Sequence, residues 1–188
     1  PNSNNVLPIT SAIILASGVA SFGAPVGREP NGIRAIFVLL QYKADANLTV
    51  DTRSTTPLMT ALSRIREKDR LLQVVNLLVQ AKADVNLRSY VALDTEHRNT
   101  SGRFLAGTKT QGTMQNTTTP LALAASRSPV SVVKHLVECG ARLFEKSWGK
   151  IPLTWALEQS MAQNHAYLLQ ESQLAKSLFI ACEKGDVE

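Results

Sequence analysis

The sequence predicts an all-α protein assembled as a stack of similar helix pairs. Three observations carry that expectation. The opening Thr-Pro-Leu-x-x-Ala stands at residues 56–61 and again at 119–124, with looser openings beginning at Leu7, at Ile151 and, weakest, at Lys176. An aliphatic stretch follows in three of the units, at 35–40, 74–79 and 132–137, and two of these close on Ala-Asp-x-Asn, at 44–47 and 83–86. The interval from Thr119 to Ile151 is 32 residues, the length of one supersecondary unit. The other intervals, 49, 63 and 25, are explained by two insertions and one shortened unit.

Each part of the unit has its own physical reason. A Thr before Pro caps a helix N-terminus, and Pro at the first helical position gives up no hydrogen bond that the helix needs. Leu58 and Leu121 then point into the core. Ala61, Ala124 and Ala156 follow three residues later on the same face, where a methyl lets the partner helix and the next unit approach closely. In the second helix, Val74, Leu77 and Leu78 at i, i+3 and i+4 form an inward stripe. Gly140 ends its helix where a left-handed residue is wanted. Lys43 and Lys82 stand in that place in the other units, which should cost about 1 kcal/mol each. The stretch 64–70 reads as an extension of the first helix with a solvated exit.

These residues resemble the ankyrin repeat, over roughly residues 6–157 with a degenerate tail to 188. The resemblance implies an ankyrin-repeat solenoid, with repeats near 6–47, 55–86, 118–144 and 150–173 and a partial one at 174–188, all in a single domain. Insertions fall at 18–32, rich in Gly and Pro, and at 87–118, rich in Thr, Gly, Asn and Gln. Loops of that length bind a partner or stay disordered. The family's frequent His after Thr-Pro-Leu is replaced here by Thr10, Met59, Ala122 and Thr154, which weakens each opening turn but not the fold.

Composition narrows the class. A hydrophobic content of 44% with 19% charged residues fits a folded domain, and the modest aromatic content of 5% suits short packed helices better than a β-sandwich. The net charge of +5 comes from scattered Lys and Arg with no basic run, so it reads as a solvated surface before it reads as nucleic-acid binding. Two distant cysteines, Cys139 and Cys182, make a disulfide framework a poor reading and a reducing, intracellular compartment the expectation. The three Asn-x-Ser/Thr sequons, at Asn47, Asn99 and Asn116, matter only in a secreted protein. No charged side chain occurs in the first 27 residues, but polar residues and Pro8 interrupt the apolar ones, so no targeting or membrane segment is assigned.

Motifs for chemistry are missing from the sequence: it has no Gly-x-Gly-x-x-Gly, no Gly-Lys-Ser/Thr phosphate loop and no Cys-x-x-Cys. His135 and Cys139 could share a helix face as two metal ligands, yet two ligands do not make a structural zinc site. No catalytic, cofactor or metal residue is assigned, and the chain is expected not to be an enzyme.

An ankyrin-like array implies a partner surface made of the inter-repeat loops and the exposed face of the first helices. Those places are the loops 49–55, 87–118 and 145–150, and the helix positions Ser63, Arg64, Ser126, Arg127, Glu158 and Gln159. Arg53, Arg64, Arg127 and Lys150 would bias this surface toward an acidic partner protein. Trp148, just before the tip Gly149, should stand exposed as a hot spot unless it folds back on the neighbouring loop. Trp155 reads as core. The leading expectation is a protein-interaction scaffold. The alternatives are a basic module for nucleic acid or an acidic polymer, and a regulatory part of a larger enzyme. The tail 174–188 reads like the first helix and turn of a further repeat, which would leave Leu174, Leu178 and Ile180 partly exposed and make the chain a piece of something longer.

Overall fold

The computed structural model describes residues 8–17, 31–49, 55–89 and 117–184. They form eight helices: α1 (Pro8–Ala16), α2 (Asn31–Gln41), α3 (Pro57–Arg64), α4 (Lys68–Gln80), α5 (Pro120–Arg127), α6 (Val130–Glu138), α7 (Pro152–Glu158) and α8 (Ala162–Lys184). Among the described residues extended pairing is limited to two isolated bridges, Ser89 with Thr118 and Ser147 with Lys150.

The first helix of each pair starts as its sequence dictates. Thr56 Oγ1 accepts the Met59 N–H at 3.1 Å and Thr119 Oγ1 accepts the Ala122 N–H at 3.2 Å, with Pro at the first helical position in both. Ile151 has no hydroxyl, and α7 begins without a side-chain cap. Leu58 and Leu121 are buried, and Ala61, Ala124 and Ala156 are all 0% exposed.

These small residues sit where the first helices meet: α1 packs on α3, α3 on α5, and α5 on α7. The second helices form a parallel row in which α2 meets α4, α4 meets α6, and α6 meets α8. Each helix of one row also packs on its partner in the other, so the core runs between the rows. In the first pair the approach needs a glycine. A Cβ on Gly32 would lie 2.4 Å from the Ala16 backbone nitrogen, so α1 and α2 cross where only hydrogen fits.

The second helices end in the left-handed turn that the sequence predicts. Gly140 has φ +86°, and Lys43 and Lys82 adopt φ +60° and +64°. The 5→2 and 6→1 bonds that such a turn supplies are present: the Lys82 N–H reaches the Val79 carbonyl at 2.9 Å and the Ala83 N–H the Leu78 carbonyl at 2.9 Å. These bonds hold two lysines in a conformation that suits glycine better.

Three expectations are corrected. The stretch 64–70 does not extend the first helix: α3 stops at Arg64, Ile65 turns to φ −82°, ψ 122° and is buried, and α4 starts at Lys68. An apolar side chain that must enter the core ends the helix there. Arg70 then pairs with Glu67 at 2.8 Å and donates to the Ala16 carbonyl at 3.1 Å, satisfying the last turn of α1.

The inward stripe of α4 is also shifted. Leu71, Val74, Val75 and Leu78 are buried, whereas Leu77 is only half-buried. The matching stripe of α6 is Val132, Val133 and Leu136.

At the far end, α8 runs unbroken for 23 residues through the place where a further first helix was expected to open. Its later part does expose Leu174, Leu178 and Ile180, by 49–64%, together with Phe179.

Candidate functional site

The described starts of the loops that follow the second helices are tied to each other by asparagine. Asn47 Nδ2 donates to the Lys82 carbonyl at 3.0 Å, and its Oδ1 accepts the Asp84 N–H at 2.7 Å. One unit later, Asn86 Nδ2 donates to the Gly140 carbonyl at 3.1 Å and its Oδ1 accepts the Arg142 N–H at 2.9 Å. Each Asp two residues earlier in the chain turns back on the Asn backbone, Asp45 to Asn47 and Asp84 to Asn86, both at 2.8 Å. The Ala-Asp-x-Asn ending is therefore a rung between units. The sequence carried that signal twice, at 47 and 86, but its function depends on a neighbour 35 or more residues away.

The second loop feature is the hairpin at 145–150. The Ser147 and Lys150 backbones pair at 2.8 and 3.1 Å, and the two tip residues, Trp148 and Gly149, have φ +53° and +79°. Two positive φ values at the tip match the twist of flanking strands, the I′ pattern. Ser147 is buried, and its Oγ accepts the Thr119 N–H at 2.9 Å. Trp155 is 3% exposed and its Nε1 donates to the Ser147 carbonyl at 2.9 Å, as a core tryptophan under the hairpin.

Trp148 is half-buried rather than projecting. Its ring packs against the core, and its Nε1 donates to Thr118 Oγ1 at 3.0 Å. Of the two alternatives the sequence left open, it takes the fold-back.

The other site residues fall unevenly. Arg53 lies outside the described residues. Arg64 is exposed at the end of α3, while Arg127, in the same place on α5, is half-buried and engaged in an interaction. Glu158 and Gln159 are exposed at the end of α7. Lys150 is exposed, but its Nζ lies 2.7 Å from Glu158 Oε2 and 4.9 Å from the Trp155 ring centroid. The positive bias expected of this surface is thus partly cancelled within the protein.

Ser126 was expected on an exposed helix face and is 5% exposed, its hydroxyl donating to the Leu123 carbonyl at 2.8 Å. The correction extends further. Residues 57–62 of α3 and 120–126 of α5 are buried throughout, as are residues 117–119 before α5, so these helices are open only at their C-terminal ends. What remains accessible is the helix ends and the loop edge.

Sequence reasoning missed Arg88, which lies at the start of the 87–118 stretch. Its Nε donates to Thr117 Oγ1 at 2.7 Å and its NH1 to Glu145 Oε1 at 2.7 Å. Glu145 also accepts from Arg142 at 3.2 Å. No local pattern announces partners 29 and 57 residues away.

The His135–Cys139 pair has Nε2 and Sγ 3.8 Å apart, and among the described residues no three His, Cys, Asp or Glu are grouped so that they could hold a metal ion. Burial, and then the Glu138 charge, push the Cys139 thiol above its ordinary pKa, which disfavours the reactive thiolate. No helix among the described residues is long and apolar enough to cross a membrane.

The pair α3–α4 and its following loop coincide with a recognised unit. Residues 54–90 match the family model of the ankyrin repeat. No curated protein matches the chain. Ankyrin repeats are in general protein-interaction units without catalytic machinery. This segment holds the Pro-started helix, the buried Ala, the left-handed helix end and the start of the inter-unit loop, and its match supports the resemblance of the chain to ankyrin-repeat proteins at the level of family.

Proposed function

We propose that the four helix pairs act together as one ankyrin solenoid, a single domain that binds a partner protein through its loop edge and the exposed ends of its first helices. The observation that carries this reading is the asparagine ladder. It fixes successive loops at set spacings along one edge, and a preordered edge loses little conformational freedom on binding.

Within that surface, Arg64, Glu158 and Gln159 are the accessible helix-end contacts, with the 145–150 hairpin between the last two pairs. Trp148 contributes the exposed part of its ring and holds the hairpin in shape. Lys150 acts together with Glu158 rather than as a lone cation. The buried faces of α3 and α5 take no part.

The test is affinity capture followed by titration of the captured protein against variants. Arg64→Glu and Glu158→Lys with Gln159→Ala should weaken binding at least tenfold without moving the thermal midpoint. Phe37→Glu, on the exposed side of α2, should not weaken it. Binding that ignores the helix-end variants and fails with Phe37→Glu would place the interface elsewhere.

A further inference from the structure

The two isolated bridges occupy the same place in successive units. Ser89 lies six residues after Ala83, and Ser147 six after Ala141; both serines are 0% exposed. Ser89 pairs with Thr118, the residue before the Thr119-Pro120 opening, and Ser147 pairs with Lys150, the second residue before Pro152. One hairpin closes over residues 148 and 149, the other over residues 90 to 117: two residues against 28.

We infer that the long insertion replaces a two-residue hairpin tip, and that Arg88 and Trp148 form a clamp that keeps its base closed. Closing a chain becomes less favourable as about the three-halves power of its length, so a 28-residue tip should close on the order of fifty times less readily than a two-residue one. Yet the Ser89–Thr118 bonds, at 3.0 and 2.7 Å, are as short as those of the two-residue hairpin. Something must offset the difference.

The molecule carries its own comparison. Arg88 and Lys146 hold the same position in the two hairpins, one residue before the paired serine. Lys146, beside the short tip, is exposed. Arg88, beside the long one, is half-buried, and among the described residues its guanidinium reaches three groups. It joins Thr117 on the returning strand to Glu145 and the Lys146 carbonyl on the next hairpin. Trp148 closes the other side through Thr118 Oγ1. The returning strand is thus held by side chains from both directions, at Thr117 and at Thr118. Trp148 also keeps a left-handed backbone at φ +53°, a conformation costly for a bulky residue, and its bond to Thr118 supplies a reason for that cost.

Arg88 is therefore a positioning residue for the base of the insertion, and the next hairpin is its anchor. Native-state amide exchange at Ser89 and Thr118 tests this, since both N–H groups bond across the base. The Ala83 and Ala141 amides, bonded within helix ends, report general loosening. Arg88→Met should speed exchange at Ser89 and Thr118 on the order of tenfold relative to those controls, the factor expected for lost charge-assisted bonds that are partly exposed. Trp148→Phe, which removes the Nε1 donor, should act in the same direction.

The deciding variant replaces residues 90–116 by Asn-Gly, which shortens the tip to three residues and keeps Thr117 as a partner of Arg88. It should fold with a circular dichroism spectrum of the same shape, and in it Arg88→Met should leave the Ser89 and Thr118 amides unchanged relative to the controls. Unchanged exchange after Arg88→Met in the full chain would overturn the clamp. Equal acceleration in both backgrounds would reduce Arg88 to a general structural contact. Failure of the Asn-Gly variant to fold would overturn the equivalence of the two hairpins.

Discussion

Leu77 and Leu78 offer a sharp test of the register of α4, because the two neighbours carry the same side chain. Leu78 is 0% exposed on a helix packed against α2, α3 and α6, whereas Leu77 is half-buried. Leu78→Ala removes atoms that are wholly surrounded, and elements on three sides limit how far the gap can collapse. Such sites fall in the middle to upper part of the 2–5 kcal/mol range, so about 3–4 kcal/mol is expected. Leu77→Ala loses only part of its burial and should cost about 1–2 kcal/mol. For a chain of this size each kcal/mol moves the thermal midpoint by roughly 2–4 °C. The Leu78 variant should therefore melt roughly 6–16 °C below the parent, and the Leu77 variant roughly 2–8 °C below.

Urea titration followed by far-UV circular dichroism is the assay, with the slope of the transition compared among the three proteins. An unchanged slope makes the midpoint shift a stability difference, a check that matters in repeat arrays, whose units can unfold separately. A Leu77 variant as destabilised as the Leu78 one, or more so, would refute the register.

Three further outcomes follow from the packing and the polar contacts. Ala124→Leu forces a side chain into the 0% exposed contact of α5 with its neighbours and should destabilise by about 1–3 kcal/mol, read as a lower urea midpoint. Asn86→Ala breaks both rungs to the next unit and should cost about 1–2 kcal/mol, with faster amide exchange at Arg142 as its local sign. Burial first, then the charges of Glu171 and Glu138 and a hydrogen bond with Glu171, push the Tyr167 phenol up to about 12. Its folded pKa lies above the unfolded value near 10, so its contribution is fully present below about pH 10 and is lost as pH rises toward 12. Tyr167→Phe should flatten the stability–pH curve in that window, and an identical curve for the two proteins would refute the assignment.

The sequence alone determined what short spacings encode. Thr before Pro caps within three residues, and the small residue four places after that Pro shares the face of the core Leu. Gly140, Lys43 and Lys82 mark helix ends that need a left-handed turn. Those are local facts of backbone geometry, and the structure keeps them at each described position.

Tertiary structure decided whatever depends on a partner far along the chain. Between Leu77 and Leu78, both compatible with an apolar face, the crossing of α4 over its neighbours made the choice. Ile65 ended α3 because the core had room for it, although the charges around it read as a solvated helix. Ser126 satisfied its hydroxyl on its own helix and became buried where an exposed face was expected. Trp148 took the fold-back of its two open alternatives, with its Nε1 donating to the hydroxyl of Thr118, 30 residues earlier. A sequence records the donors and acceptors at such places; only packing decides which of them meet, because burial penalises each polar group that fails to find a partner.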